Sequence, residues 1–444
     1  MKKFVALTLS LAMAFTLAAC GGASSSQAAS TAGSSETVST AEPVTVTLWH
    51  MYPEDEEVTK PHQRLLAWAK EFNETNTDNI TVEVSGAKTA DVIMTTIASG
   101  STPDIFQNYW NNAPTWADNG ALYDMTEFVN SDTAWDKSDF LDTAWNLCTY
   151  NDRVYSIPLT ASTTFVAYRP DILADCGWDH FPKTMEELAQ CIRDCTKVDA
   201  SGNITQMGMI PDYPWLDNVL WPAAFGASWN EGDAPNFNND QIKAAYDFQK
   251  AIYDEYGYEN IKRFQDTLGA RATTEDPIFT GKLAMRWQGD SAIASMEEMG
   301  AGVDWEIAAL PYPEGVEGGQ MLTCGVWEMN AKTANAEATW KVMASLTGAE
   351  NMAVMAEGDF GGGNFMPRKS ALDHLINDLD VSDNVKANAK TLLNSELISF
   401  PMLKYTTEYL NIINTEMSLA LSDDTTVEAA AASVQEQVEA LAAE

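Results

Sequence analysis

Basic side chains are scarce in this sequence. Its 444 residues include 26 Lys and Arg against 64 Asp and Glu, which gives a formal net charge of −38 at pH 7. A nucleic-acid partner is excluded, because binding to phosphates requires clustered cations. Histidine is also rare, and none of the four has the His-Glu-x-x-His spacing of a zinc hydrolase.

Signature motifs of common catalytic sites are missing as well. The sequence contains neither a Gly-x-Ser-x-Gly nucleophile elbow nor a phosphate-binding Gly-x-x-x-x-Gly-Lys-Ser/Thr loop. Acidic pairs are uninformative, because 64 carboxylates place some pair at glycosidase separation by chance. We therefore predict a protein that is not an enzyme and that has no catalytic residue, no cofactor and no metal site.

Cysteine is sparse, with six residues in the whole chain. Besides Cys20 there are Cys148, Cys176, Cys191, Cys195 and Cys324. An odd, unevenly spaced set does not form a disulfide framework. We expect these five side chains to be small buried hydrophobes, with metal binding as the weaker alternative.

Long apolar runs are confined to the N-terminus. Two lysines precede the apolar segment Phe4–Leu17, which has the length of a signal-peptide core and is too short to span a membrane. No later segment has the ~18 consecutive apolar residues of a transmembrane helix. The chain is therefore expected to have a targeting segment and no membrane span.

The apolar segment ends in LAACG, residues 17–21, which resembles the lipobox of bacterial lipoproteins. We predict a signal peptide over residues 1–19, a Cys20 that carries diacylglycerol and palmitate, and a flexible tether over residues 20–43, where small and polar residues dominate. The protein would then be lipid-anchored at the extracellular face of the cell membrane. An ordinary secretory cleavage site with a chance cysteine is the alternative.

Material for hydrophobic cores is plentiful. Apolar residues make up 45% of the chain and aromatic residues 10%. A single core stops growing at about 250–300 residues, so this length predicts two lobes.

The first part of the chain alternates between strand and helix patterns. Residues 44–48 and 80–84 alternate apolar and polar side chains, apolar residues recur at helical spacing over 65–72 and 92–97, and residues 103–106 are typical of a short buried strand. This order predicts an α/β fold with a parallel sheet and helices on both faces. Ligands of such sheets bind beyond the carboxyl ends of the strands.

Several segments follow the lipobox and the tether in a recognisable order: Val44–His50, Thr102–Ile105, Arg153–Pro158, Phe279–Gly289 and Pro311–Gly315. Together they are similar to the bacterial extracellular solute-binding proteins of family 1, which serve carbohydrate ABC importers. This resemblance implies a two-lobed periplasmic-binding-protein-like fold of type II, with parallel-rich sheets flanked by helices and a hinge between the lobes. Lobe one would comprise residues 44–158 and 288–325, and lobe two residues 159–287 and 328–444.

Aromatic and short polar side chains cluster near predicted strand ends and crossings. A sugar presents apolar C–H faces and a rim of hydroxyls, so its site needs flat rings and hydrogen-bonding groups. The candidate ligand-binding residues are Trp49, His50, Gln107, Tyr109, Trp110, Trp221, Trp287, Gln288, Asp290, Trp327 and Glu328. Core packing is the alternative for each ring, and a helix N-cap is the alternative for Asp290.

These observations predict a lipid-anchored receptor that closes two lobes around a sugar or oligosaccharide and delivers it to the permease subunits of an ABC transporter. The receptor is expected to act as a monomer and to meet the membrane only through its lipid. Two alternatives stay open. One is a surface-anchored polysaccharide hydrolase, and the other is the same fold with a peptide, a polyamine or a metal as its solute.

Overall fold

A computed structural model of the protein describes residues 42–54, 60–100, 103–214, 219–232, 234–271, 273–357 and 365–443. The predicted signal peptide, the lipidated Cys20 and nearly all of the tether lie outside the described residues. Residues 41–444 belong to one compact unit. None of the helices within the described ranges is long and apolar enough to cross a membrane.

The strands, in chain order, are β1 (Val44–Trp49), β2 (Ile80–Ser85), β3 (Ile105–Tyr109), β4 (Thr149–Tyr150), β5 (Arg153–Val154), β6 (Ser156–Ser162), β7 (Thr164–Tyr168), β8 (Lys197–Val198), β9 (Ile204–Gln206), β10 (Asn230–Glu231), β11 (Ala234–Pro235), β12 (Met285–Gly289), β13 (Glu306–Ala308), β14 (Gln320–Met321), β15 (Thr323–Met329) and β16 (Leu397–Ile398).

The α-helices are α1 (Lys60–Thr75), α2 (Ala90–Ala98), α3 (Ala113–Asp118), α4 (Thr126–Ser131), α5 (Asp142–Asn146), α6 (Pro170–Asp175), α7 (Met185–Asp194), α8 (Leu220–Ala224), α9 (Asp240–Tyr256), α10 (Tyr258–Gln265), α11 (Ile293–Met299), α12 (Ala336–Leu346), α13 (Ala349–Ala356), α14 (Lys369–Asp378), α15 (Asp383–Asn394), α16 (Thr406–Leu421) and α17 (Val427–Ala442). Short 3-10 helices cover Trp110–Asn112, Lys137–Asp139 and Asp290–Ala292.

The larger sheet has the strand order β2-β1-β3-β15-β6. β1 is parallel to β2 and to β3, whereas β15 is antiparallel to both β3 and β6. The predicted β-α-β-α-β start of the chain is therefore confirmed, and the α/β class with it.

Hydrophobic cores cover both faces of the larger sheet. Consecutive residues of β3 belong to opposite cores, because side chains alternate along a strand: Ile105 packs with Val46 and Leu48, and Phe106 packs with Ile93 of α2. Val46 and Leu48 are among the positions whose alternation predicted β1. The sheet is thus fixed from both sides, and its strand ends have a rigid support.

The smaller sheet has the order β12-β7-β13, and both outer strands run antiparallel to β7. Parallel pairing accounts for two of the four strand pairs of the larger sheet and for the short β14–β16 pair, so the larger sheet is mixed and the predicted parallel-rich character is met only in part. β12 and β13 do point the same way, but β7 lies between them, so the connection through α11 spans the central strand and makes no parallel pair. The chain passes from the larger sheet to the smaller one at Thr163, between β6 and β7.

Strand pairing and packing group some segments differently from the predicted lobe boundaries. β13 lies within the stretch 288–325 that the sequence assigns to lobe one, yet it pairs with β7 of the smaller sheet. Trp340 and Met343 of α12 lie within the stretch assigned to lobe two, yet they pack in the same core as Val46 of the larger sheet. Such returns of the chain depend on contacts between distant segments, which local periodicity does not reveal.

Candidate functional site

The loops that follow β1, β2 and β3 meet at one edge of the larger sheet. The His50 amide donates to the Ser85 carbonyl at 3.0 Å, and the Lys88 amide donates to the His50 carbonyl at 3.1 Å. A Cβ atom on Gly86 would lie 2.5 Å from Cε1 of His50, so only glycine allows this close approach. The three strand ends therefore form one connected surface.

Two accessible aromatic rings occupy this edge. Tyr109, the last residue of β3, has 55% of its surface exposed. Trp49, the last residue of β1, is half-buried, and Nζ of Lys88 lies 5.1 Å from its ring centroid, within cation–π range. Rings in these positions can stack on an apolar ligand face, and the ammonium supplies a hydrogen-bond donor beside them.

Gln107 fixes the loop that follows β1. Its Oε1 accepts a hydrogen bond from the Met51 amide at 2.8 Å, and its side chain is buried. The predicted site residue therefore lies at the strand edge, where it joins β3 to the segment that carries Trp49 and His50.

His50 belongs to a buried histidine pair. Its Nε2 lies 2.9 Å from Nδ1 of His62, and the residue has no exposed surface. Burial, together with the neighbouring His62, lowers the pKa of His50 to about 4. The imidazole is therefore neutral at pH 7, and it packs beneath the loop that follows β1.

Glu328 holds the loop after β3 from behind. Its carboxyl group accepts a hydrogen bond from Nδ2 of Asn108 at 2.8 Å and another from Oγ of Ser156 at 3.1 Å. Oδ1 of Asn108 accepts in turn from the Tyr109 amide at 2.8 Å. Complete burial raises the pKa of Glu328 to about 8. This chain of bonds orients the backbone that presents Tyr109.

The residues after β3 also contact the first turn of α16 and the segment before it. Nδ2 of Asn111 donates to Oγ1 of Thr407 at 3.2 Å, and this hydroxyl donates to the Asn111 carbonyl at 3.0 Å. Trp110 packs against Phe400, with ring centroids 6.5 Å apart. Because α16 packs against α9 and α17, these contacts link the larger sheet to the helices on the side of the smaller one.

Asp290 fastens the crossing between the two sheets. It follows β12 directly, its amide donates to the Thr163 carbonyl at 3.1 Å, and its Oδ2 accepts from the Thr163 amide at 2.8 Å. Burial raises the pKa of Asp290 to about 8. The N-cap position of the 3-10 helix that starts here is Gly289, so the alternative N-cap role for Asp290 is wrong.

Four of the predicted tryptophans lie in hydrophobic cores. Trp110 is 6% exposed, whereas Trp221, Trp287 and Trp327 have no exposed surface. The indole groups of Trp221 and Trp287 donate to the same acceptor, the Pro211 carbonyl, at 3.2 and 2.9 Å. In this conformation none of the three fully buried rings can touch a ligand, because no part of them reaches the surface. Gln288, beside Trp287 on β12, is also buried.

The geometry is suited to binding. Asp290 and Glu328 are enclosed and are engaged by backbone and amide donors, so their raised pKa values reflect burial within the scaffold. Within the described part of the chain, no group of three or more His, Cys, Asp or Glu side chains could hold a metal ion. The accessible groups at the strand edge are rings, an ammonium and amides, which are the kinds of group that bind a polar solute.

Sequence reasoning did not identify Lys88, Asn111 or Thr407. Lys88 follows β2 by three residues, so its place after a predicted strand was an available signal. Thr407 is 296 residues away from Asn111, and nothing in the sequence indicates that contact.

The family model described as bacterial extracellular solute-binding protein matches residues 67–391. The chain therefore belongs to this family. Comparison with curated proteins returns no match.

Solved structures of sugar-binding proteins share the fold. CpMnBP1, solved with mannobiose bound, is 20% identical, with a TM-score of 0.74 over 90% of this chain and 100% of its own. The sugar-binding protein MalE from Xanthomonas citri is 18% identical, with a TM-score of 0.72 over 90% of this chain and 97% of its own. The cyclic alpha-maltosyl-1,6-maltose binding protein from Arthrobacter globiformis is 17% identical, with a TM-score of 0.72 over 90% and 99%. At identities this low, the structural similarity shows a shared two-lobed fold and nothing more specific.

Proposed function

We propose that this protein binds a sugar or oligosaccharide outside the cell and delivers it to the permease subunits of an ABC importer. The observation that carries the proposal is the pair of accessible rings, Trp49 and Tyr109, at the carboxyl ends of β1 and β3. Solved structures of the same fold are named for sugars or contain them, which supports a sugar as the solute. Family membership supports binding over hydrolysis.

The proposed mechanism is lobe closure. The ligand occupies the strand edge, and the loop after β3 meets the first turn of α16 through Asn111 and Thr407. A ligand shifts this equilibrium only by the contacts that it gains in the closed state. The permease then distinguishes closed from open receptor. We assign ligand contact to Trp49, Tyr109 and Lys88, and positioning of their loops to His50, Gln107 and Glu328.

A thermal-shift screen against a glycan panel tests the function. A ligand at ~100 times its dissociation constant stabilises the folded protein by ~2.7 kcal/mol, so a true ligand is readily seen. We expect at least one neutral oligosaccharide to raise the melting temperature and to be recovered intact after long incubation. Turnover that persists in highly purified protein would favour the hydrolase. If only a peptide, a polyamine or a metal stabilises the protein, the same fold with a non-sugar solute is favoured.

Replacing the exposed ring provides a prediction for the site. Tyr109→Ala is expected to weaken binding of the identified glycan by about tenfold or more, because a stacking surface is lost. The free energy of unfolding should change by less than about 0.5 kcal/mol, since the ring is largely exposed. Tyr109→Phe keeps the ring and is the matched control, with affinity close to wild type. Equal affinities for Tyr109→Ala and wild type would remove Tyr109 from the site.

The proposed membrane anchor depends on Cys20. Cys20→Ala is expected to leave the protein without a lipid, either retained through an uncleaved leader or released from the cell. The lipid is the proposed anchor. A released protein should therefore leave the detergent phase, and a retained protein should keep the mass of its uncleaved leader. Phase partitioning and intact mass measure this. A variant that is still cleaved and still partitions like wild type would contradict the lipoprotein assignment.

A further inference from the structure

A small polar cavity lies beside β12, apart from the aromatic strand edge. Its volume is about 250 Å³, and its lining includes Arg271, Arg286, Gln288, Ser291 and Ser295. Arg271 and Ser291 are exposed, whereas Arg286 and Gln288 are buried. The cavity therefore leads from the surface to a buried guanidinium group.

Arg286 keeps hydrogen-bonding capacity that the surrounding protein does not use. Its side chain is 1% exposed, and its Nη2 lies 3.1 Å from Oδ2 of the buried Asp276. Among the residues that the structure describes, Nε and Nη1 of Arg286 have no hydrogen-bond partner. Buried polar groups are normally satisfied by protein or by a bound molecule, so these N–H groups indicate an acceptor within the cavity.

The charge around the cavity has the opposite sign to that of the whole protein. Arg271 and Arg286 contribute two positive charges, and Asp276 contributes one negative charge. Nη1 of Arg271 lies 3.4 Å from Oε1 of Gln288, which places the second guanidinium at the same wall. In a chain with a net charge of −38, a local excess of positive charge is a distinctive feature.

We propose that this cavity binds an oxyanion, a carboxylate or a phosphate, between Arg271 and Arg286. Guanidinium groups bind such anions through paired N–H donors, and Ser291 and Ser295 offer hydroxyl groups to the remaining oxygens. The opening at Ser291 is one residue from Asp290, which fastens the crossing between the sheets. On the proposed function, the anion would be an acidic substituent of the sugar that the receptor binds. Free phosphate is the other source of the same chemistry.

The test uses the mature protein and two anionic probes. Sodium glucuronate and inorganic phosphate are titrated by calorimetry and thermal shift, with glucose as the neutral counterpart of glucuronate. We expect at least one anion to bind and Arg271→Gln to weaken that binding by about tenfold or more. Arg263→Gln is the matched control. Arg263 is exposed on α10, so this substitution removes the same charge at a different place. Arg271 is preferred over the buried Arg286, because replacing Arg286 would leave the buried Asp276 without its ion-pair partner and could prevent folding.

Each outcome decides the proposal. Binding of glucuronate without phosphate supports an acidic sugar as the source, and binding of phosphate supports the free anion. If neither anion binds, the proposed anion site is wrong. It is also wrong if Arg271→Gln and Arg263→Gln lose affinity equally. If wild type binds a neutral oligosaccharide but neither anion, the cavity proposal fails and the receptor function stands. If an anion binds in an Arg271-dependent way but no glycan does, the cavity stands and the sugar-receptor function fails.

Discussion

Trp287→Ala is expected to lower the free energy of unfolding by about 3–5 kcal/mol, the usual cost of truncating a fully buried large aromatic residue to alanine. The ring has no exposed surface, and its indole nitrogen donates to the Pro211 carbonyl at 2.9 Å. Truncation would leave a cavity next to Trp221. The Pro211 carbonyl would lose one of its two indole donors and keep the hydrogen bond from Trp221. The loss therefore combines lost packing with a lost hydrogen bond.

Chemical denaturation of wild type and Trp287→Ala measures this loss. Trp287→Phe is the intermediate case, since it keeps most of the ring volume but cannot donate to Pro211. Tyr109→Ala serves as the control for removal of an exposed ring and should unfold like wild type. A Trp287→Ala protein that is as stable as wild type but binds its glycan poorly would return this ring to the ligand site, as the sequence predicts.

The contrast between Trp287 and Tyr109 shows where sequence reasoning succeeds. Both residues are aromatic and lie at or near the end of a strand, so the sequence predicts the same role for both. Their roles differ because other parts of the chain pack over one ring and not over the other. Those parts are distant in sequence. Trp287 is covered by the segment around Pro211, while no such cover encloses Tyr109.

Local patterns predicted the individual elements well. The period-two alternation of residues 44–48 gave the correct strand. The sequence Thr184-Met-Glu-Glu187 is a capping box that marks the start of α7, where Oγ1 of Thr184 accepts from the Glu187 amide at 3.1 Å. Both signals depend on neighbouring residues alone.

Pairings between distant segments could not be predicted in the same way. The placement of β13 beside β7 and of α12 beside β1 depends on where the chain returns, and no local signal encodes that return. The buried hydrogen bonds of Glu328 are of the same kind, because its partner Asn108 is 220 residues away.

Glu328 provides the second large effect, a dependence of stability on pH. Burial raises its pKa from 4.5 to about 8 in the folded protein. Between these two values the folded state keeps a proton that the unfolded state releases. Glu328 therefore stabilises the fold fully below about pH 4.5, and that contribution is lost as the pH rises towards about 8, by up to about 1.4 kcal/mol per pH unit.

Glu328→Gln is expected to remove this part of the pH dependence. The amide is neutral at every pH, has nearly the same shape, and can accept from Asn108 while donating to the Ser156 hydroxyl. Relative to wild type, the variant should therefore gain stability as the pH rises from about 5 to about 8. Denaturant unfolding across this range measures the difference, and parallel stability curves for the two proteins would contradict it.

Two further variants separate charge from hydrogen bonding. Asp290→Asn removes the other buried carboxyl group whose pKa is raised to about 8, so it should reduce the pH slope in the same direction and leave the Glu328 contribution in place. Glu328→Ala abolishes the acceptor for Asn108 and Ser156, so it should be about 1–3 kcal/mol less stable than Glu328→Gln at every pH, because buried donors are left unpaired. Since Asn108 also anchors the Tyr109 amide, this alanine variant alone should weaken ligand binding through the loop after β3.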